Sequence, residues 1–111
     1  MQNTRAVTSE MTMKIVRALT RGPLRFNEID RAVNARNHPV LSERLKKMQR
    51  DGLIERRVIK LGPPAHVEYM LTPLGADLAK PVKALLGWVD AHAAELQAAR
   101  EYHTAIESRR Q

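Results

Sequence analysis

Apolar residues recur at spacings of three and four from Ser9 onward: Met11, Ile15, Val16 and Leu19 share one side of a helix, and Glu10, Lys14, Arg17 and Arg21 the other. Ser9 is placed to cap its start. Gly22-Pro23 ends it, because glycine accepts a left-handed cap and proline cannot continue the ladder. A shorter helix is expected over about Arg25 to Val33, with Phe26, Ile29 and Val33 inward and Asn27, Asp30 and Arg31 outward. Asn34 to Asn37 reads as a tight turn into a third helix that ends at Gly52, with Asn37 as its cap and Pro39 tolerated in its first turn. At about 100° per residue, Leu41, Leu45 and Met48 form its inward stripe. Pro39, Glu43, Lys46 and Arg50 lie opposite, flanked by Val40, Ser42 and Lys47.

Past Gly52 the period changes. Leu53, Ile54, Val58 and Ile59 enrich a first strand, and His66 to Leu71 reads as its antiparallel partner, with Val67, Tyr69 and Leu71 on one face and His66, Glu68 and Met70 on the other. The connection Gly62-Pro63-Pro64-Ala65 cannot extend the ladder, since its prolines carry no donors. Thr72-Pro73 is a helix start signal, and Lys80-Pro81 is expected to interrupt or bend the helix begun there. A long final helix is then predicted from about Pro81 to Arg100 or beyond. Its stripe of Val82, Leu85, Val89, His92, Ala93 and Leu96 has no core left to cover and so needs a partner. Residues 1 to 8 show no clear period and read as a short arm or a frayed helix start, and Ser108 to Gln111 as a frayed tail.

Two short helices joined by a tight turn, followed by a two-stranded ribbon with a stiff tip, make a winged helix-turn-helix. The expected class is α+β, mostly α: one domain over residues 1–111, with a two-stranded wing and residues 81–111 as a long C-terminal dimerisation helix.

Charge sharpens this. The chain carries a formal +7, and residues 36 to 60 hold eight lysines or arginines against three acids. Anionic partners are therefore expected, and clustering of cations on the helix and wing favours nucleic acid over membrane. No apolar run approaches the roughly 18 residues of a membrane span, and the first ten residues lack the apolar core of a signal peptide, so a cytoplasmic protein, nucleoid-associated when bound to DNA, is expected. There is no cysteine, hence no disulfide and no thiol switch.

The residues also resemble the HxlR-type family of bacterial winged-helix transcription regulators. The resemblance rests on Ile15 to Leu19 with Gly22 and Arg25-Phe26-Asn27-Glu28-Ile29; on Leu41-Ser42-Glu43-Arg44-Leu45-Lys46 and Asp51-Gly52-Leu53-Ile54-Glu55-Arg56; and on Val67-Glu68-Tyr69, Leu71-Thr72-Pro73-Leu74-Gly75 and Leu85-Leu86-Gly87-Trp88. It implies a dimeric DNA-binding repressor or activator, paired largely through its terminal helices, with Arg25-Phe26 at the start of the first helix-turn-helix member. Two departures stand out: Met11 occupies a place where the family commonly has tryptophan, and the cysteine many members carry near the N-terminus is absent. The short N-terminus also leaves the dimer more dependent on the C-terminal helix, where Val82, Leu85, Trp88, Val89, His92 and Leu96 are the expected contacts.

For DNA, Arg44, Lys46 and Lys47 are expected to neutralise phosphates without reading sequence. Base reading falls to the helix start, to His38, Pro39, Ser42 and Glu43, through polar bonds to base edges and apolar contact of Pro39 with a thymine methyl, and the capping Asn37 is expected among the DNA contacts beside them. At the wing, Lys60, His66 and the Pro63-Pro64 tip are expected to lie along the backbone or reach a minor groove, and Arg25 is expected as a further DNA contact. Arg56 and Arg57 alternate in side, so at most one faces DNA. No enzyme is expected: there is no Gly-rich phosphate loop, and the acids are scattered along charged helix faces. No cofactor or metal is expected. His92 and His103 share a face only if the last helix is unbroken, and two histidines without a carboxylate make a poor site. The alternative is a winged-helix interaction module whose basic face takes an acidic protein. A small-molecule effector, if one exists, is expected between the C-terminal helices and the winged core.

Overall fold

In the computed structural model, which describes residues 2–110, six helices flank a two-stranded antiparallel sheet. The helices are α1 (Gln2–Thr8), α2 (Glu10–Leu19), α3 (Phe26–Val33), α4 (His38–Arg50), α5 (Pro73–Ala91) and α6 (Ala93–Arg110); the strands are β1 (Ile54–Lys60) and β2 (His66–Leu71). Among the described residues, no helix is long and apolar enough to cross a membrane.

The core is one cluster under α2, α3, α4 and α5. Ile15, Val16 and Leu19 from α2 meet Ile29 and Val33 of α3, Leu41, Leu45 and Met48 of α4, and Ala79, Val82 and Leu86 of α5, with Leu53 and Ile54 closing it at the root of β1. The inward stripes of α2, α3 and α4 match the helical period, with two adjustments. Thr12 is fully buried in the first turn of α2, where Met11 is only half-buried, and Phe26 is half-buried at the edge.

The strands pair Ile54 with Leu71, Arg56 with Tyr69 and Val58 with Val67, and an irregularity after Val58 brings Lys60 opposite His66. Leu24 adds a short bridge on the far side of β2, its amide donating to the Tyr69 carbonyl at 3.0 Å and its carbonyl accepting from the Tyr69 amide at 2.8 Å. β2 is thus central and the arginine-bearing β1 is the free edge. Charged side chains on such an edge discourage strand-to-strand aggregation.

Three expectations give way to packing. Residues 2–8 form a helix of their own, α1, and are neither an arm nor the frayed start of α2, because Val7 docks on the core and Ser9, accepting from the Thr12 amide at 3.3 Å, starts a separate helix. Pro81 does not interrupt α5. Gly75, Ala79, Val82 and Leu86 are buried on both sides of it, and their packing outweighs the roughly 3 kcal/mol that an interior proline costs. The break falls at His92 instead. Its amide is shared between the carbonyls of Trp88 at 3.0 Å and Val89 at 3.2 Å, its ring Nδ1 reaches the Trp88 carbonyl at 2.8 Å, and the ring stacks on Trp88 with centroids 4.4 Å apart. His92 and His103 therefore do not share one unbroken helix.

Beyond this break α6 runs away from the core and buries no residue. The radius of gyration is 17.5 Å, against about 13 Å expected of a compact chain this long.

Candidate nucleic-acid interface

α4 is aimed by its two ends. At its start, the α3–α4 turn places Asn34 and Arg36 at φ 52° and 61°; asparagine tolerates this left-handed region, and Arg36 occupies it at a cost of about 1–2 kcal/mol. The Asn37 carboxamide oxygen then accepts from the Val40 amide at 3.1 Å, capping α4, and Pro39 sits in the first turn. At its end, Asp51 is the C-cap, and Gly52, at φ 75°, turns the chain into the sheet. The Thr72 amide donates to the Leu53 carbonyl at 3.1 Å and its hydroxyl to the Gly52 carbonyl at 2.5 Å, so the end of α4 is bolted to the start of α5.

Between these anchors Leu41, Leu45 and Met48 are buried, and Pro39, Val40, Glu43, Lys46, Lys47 and Arg50 are exposed. Ser42 and Arg44 are half-buried on the flanks. Glu43 lies 3.5 Å from Arg50, which leaves Lys46 and Lys47 as cations without an ion-pair partner among the described residues. Lys and Arg side chains on such a convex face neutralise phosphates readily, because they are already solvated and reach several directions.

His38 is held more firmly than its sequence position suggests. Its Nε2 lies 2.8 Å from Asp30 of α3, and its ring meets Phe26 edge-on at 5.5 Å, so it braces the two helices as well as facing outward. Arg25, whose amide donates to Glu28 at 2.9 Å, extends its guanidinium to the Ala65 carbonyl of the wing tip at 3.4 Å. Arg25 and Arg31 thereby edge a cleft of about 620 Å³ between α3 and the wing. Lys60 is exposed, whereas His66 is half-buried and 2.9 Å from Glu68. The wing tip also exposes Ile59 and Leu61, the latter 82% accessible.

Two exposed side chains on α4 were passed over as contacts in the sequence, Val40 and Arg50. Val40 is 50% exposed and, with Pro39, apolar on a largely charged face; the signal was its place beside Glu43 and Lys47 in the same angular sector.

The residues expected at a dimer contact divide. Leu85, Trp88 and Val89 are exposed on α5 at 48%, 52% and 39%, while His92 and Leu96 are half-buried around the break. Val82 departs from expectation: at 4% exposure it belongs to the chain's own core, because α5 continues through Pro81 and turns that residue toward α2.

A capped helix-turn-helix, a basic outer face on its second helix and a wing beside it define a winged helix-turn-helix regulator. The chain belongs to the HxlR-like helix-turn-helix family, whose family model matches residues 6–97. It is 34% identical over 99 residues to the HTH-type transcriptional regulator YtfH of Escherichia coli (strain K12), covering 89% of this chain and 78% of that one. It is 33% identical over 76 residues to the HTH-type transcriptional regulator YodB of Bacillus subtilis (strain 168), covering 68% and 67%. A solved structure of the transcriptional regulator YtfH from Salmonella typhimurium superposes with a TM-score of 0.81 at 32% identity, over 90% of this chain and 88% of that one. The chain is accordingly a helix-turn-helix transcriptional regulator.

Proposed function

We propose that residues 1–111 act as one DNA-binding domain that pairs with a second copy and recognises double-stranded DNA in a sequence-specific way. α4 of each subunit enters one of two successive major grooves roughly 34 Å apart, on a pseudo-palindromic operator, and thereby represses or activates transcription. The observation that carries this is the outer face of α4: cations and an exposed apolar side chain on a helix fixed at both ends, with its other face locked into the core. Pairing is supported by α6, which extends from the core without burying a residue, and by the exposed Leu85, Trp88 and Val89 beside it. An apolar surface of that kind is ordinarily covered.

In this role Arg44, Lys46 and Lys47 contact phosphates, joined by Arg25 and Lys60 at the wing. Pro39, Val40, Ser42 and Glu43 face the base edges, and Asn37 and His38 fix the helix start. His66, tied to Glu68, serves the wing's shape more than its contact. The protein would work in the cytoplasm on nucleoid DNA, with any effector a small molecule.

The two kinds of contact separate experimentally. Lys46→Ala is expected to weaken binding to every duplex alike and to reduce the magnitude of the slope of log affinity against log salt by about one. Ser42→Ala is expected to alter which sequences are preferred, by about 1–3 kcal/mol at one base pair. Binding titrations of both variants against a selected and a scrambled duplex check this, and uniform losses in both would contradict the division of roles.

A further inference from the structure

A cleft of about 460 Å³ opens on the side of the molecule where α1, the α4–β1 turn and the first turns of α5 meet. That volume lies in the range of small-molecule sites, roughly 300–1,000 Å³. Val7, Leu53, Leu74 and Leu78 supply apolar walls, and the polar side chains that line it include Asp51 and Asp77. Among the described residues, no lysine or arginine lines it, on a chain of formal charge +7. Asp51 has no ion-pair partner among the described residues, and Asp77 has only Lys80 at 3.9 Å, with both side chains largely in solvent. An apolar hollow rimmed by two carboxylates, one without an ion-pair partner among the described residues and one with only a long, solvated pair, on a chain of net positive charge, complements a molecule of bulky apolar body and positive charge.

We propose that this cleft binds a lipophilic cation, and that its occupancy resets α4 against α5. The second half rests on the identity of the walls. Leu53 stands two residues past the C-cap of α4, after Gly52, and its carbonyl accepts the Thr72 amide at 3.1 Å. Leu74 and Leu78 stand on the α5 side of the same joint, and Gly75 between them lets α5 approach the Leu53 backbone. A ligand wedged against Leu53 and Leu74 touches both halves of the joint that aims α4. It stabilises whichever setting leaves it room, and a ligand shifts an equilibrium only through such a difference in contacts. The coupling half rests on the reading of α4 as the DNA-contacting helix; the binding half does not.

The probe is tetraphenylphosphonium, with tetraphenylborate as the same shape carrying the opposite charge, titrated calorimetrically into the full chain. Saturable binding of one phosphonium per chain is expected; the borate, titrated into a separate sample because the two ions precipitate each other, is expected to show no binding that depends on Asp51 and Asp77. Asp51→Asn/Asp77→Asn is expected to weaken phosphonium binding about fivefold or more, a loss in keeping with two solvated ion pairs. Leu74→Arg, at an exposed position, is expected to abolish it. The melting midpoint of each variant verifies that the fold is intact. Absence of saturable binding, as when a second copy of the chain covers the cleft, overturns the site, and so does unchanged affinity in the double aspartate variant. With the site established, duplex affinity is measured with and without saturating phosphonium. A change of about threefold or more in the unsubstituted chain, absent from the double variant, supports coupling. Equal duplex affinities overturn coupling alone, and failure of the chain to bind any duplex overturns the DNA role of α4 and coupling with it.

Discussion

Gly75→Ala is expected to destabilise the protein by about 2 kcal/mol, lowering the melting midpoint by roughly 10 °C. A Cβ built on Gly75 falls inside contact distance of the Leu53 carbonyl oxygen, and it also meets Leu71 Cδ2 at 3.1 Å. The carbonyl is backbone, already bonded to the Thr72 amide, so it cannot rotate away as a side-chain terminus would. α5 must therefore retreat from the root of β1. Overpacking of this kind costs about 1–3 kcal/mol, and the better helix propensity of alanine, about 1 kcal/mol, offsets only part of a cost near the top of that range. A thermal melt of the single variant decides the matter. A midpoint within about 2 °C of the parent would mean that α5 does not approach Leu53 as described. Because the same joint aims α4, duplex affinity should fall as well, even under conditions where the variant is folded.

On the proposed pairing, Leu85→Glu is expected to separate the two copies and to lower operator affinity by about 10²–10⁴-fold. Leu85, Trp88 and Val89 are exposed neighbours on α5, and a carboxylate placed among them would be buried without a partner on pairing. Loss of the second subunit removes the intramolecular second contact, whose avidity is of that order. The fold itself should be almost untouched, within about 0.5 kcal/mol, because Leu85 is 48% exposed and packs little of the chain's own core. Sedimentation and a mobility-shift titration on the same sample read both effects. A variant that stays dimeric with unchanged affinity would place the subunit contact elsewhere.

The helix-turn-helix and the sheet were legible because their signals are local. Ser9, Asn37 and Thr72 cap by side-chain oxygens to amides three residues on, the inward stripes repeat at 3.6 residues, and Val67, Tyr69 and Leu71 alternate along the sequence with His66, Glu68 and Met70, although all six are half-buried in β2. The unexpected features depend on contacts distant in sequence or on single side chains. α1 is marked by little more than Val7, which has value only once the core it docks on exists. The continuity of α5 through Pro81 reflects burial of Ala79 and Val82, which outweighs a strong local stop signal. The break at His92 arises from a ring stacked on Trp88 and bonded to its carbonyl, which no periodicity encodes. The bridge from Leu24 to β2 likewise joins segments far apart in the chain.

The candidate interface shows the same division. The exposed face of α4 follows from angular arithmetic, so Pro39, Glu43, Lys46 and Lys47 lie where the sequence put them. The bracing of His38 by Asp30 and the reach of Arg25 to the wing required the packing of α3. Val82 went astray because a presumed break at Pro81 severed it from the helix that carries it into the core.

The most direct test of the central claim is a titration of the full chain against a duplex selected from a random library and against a scrambled duplex of equal length, from about 50 to 200 mM salt. The expected result is steep salt dependence on both, with the selected duplex retaining an advantage of about 10³-fold or more throughout. Equal affinities that fall together with salt would leave a basic protein without sequence recognition. No binding to either, with the dimer intact, would return the outer face of α4 to an acidic protein partner.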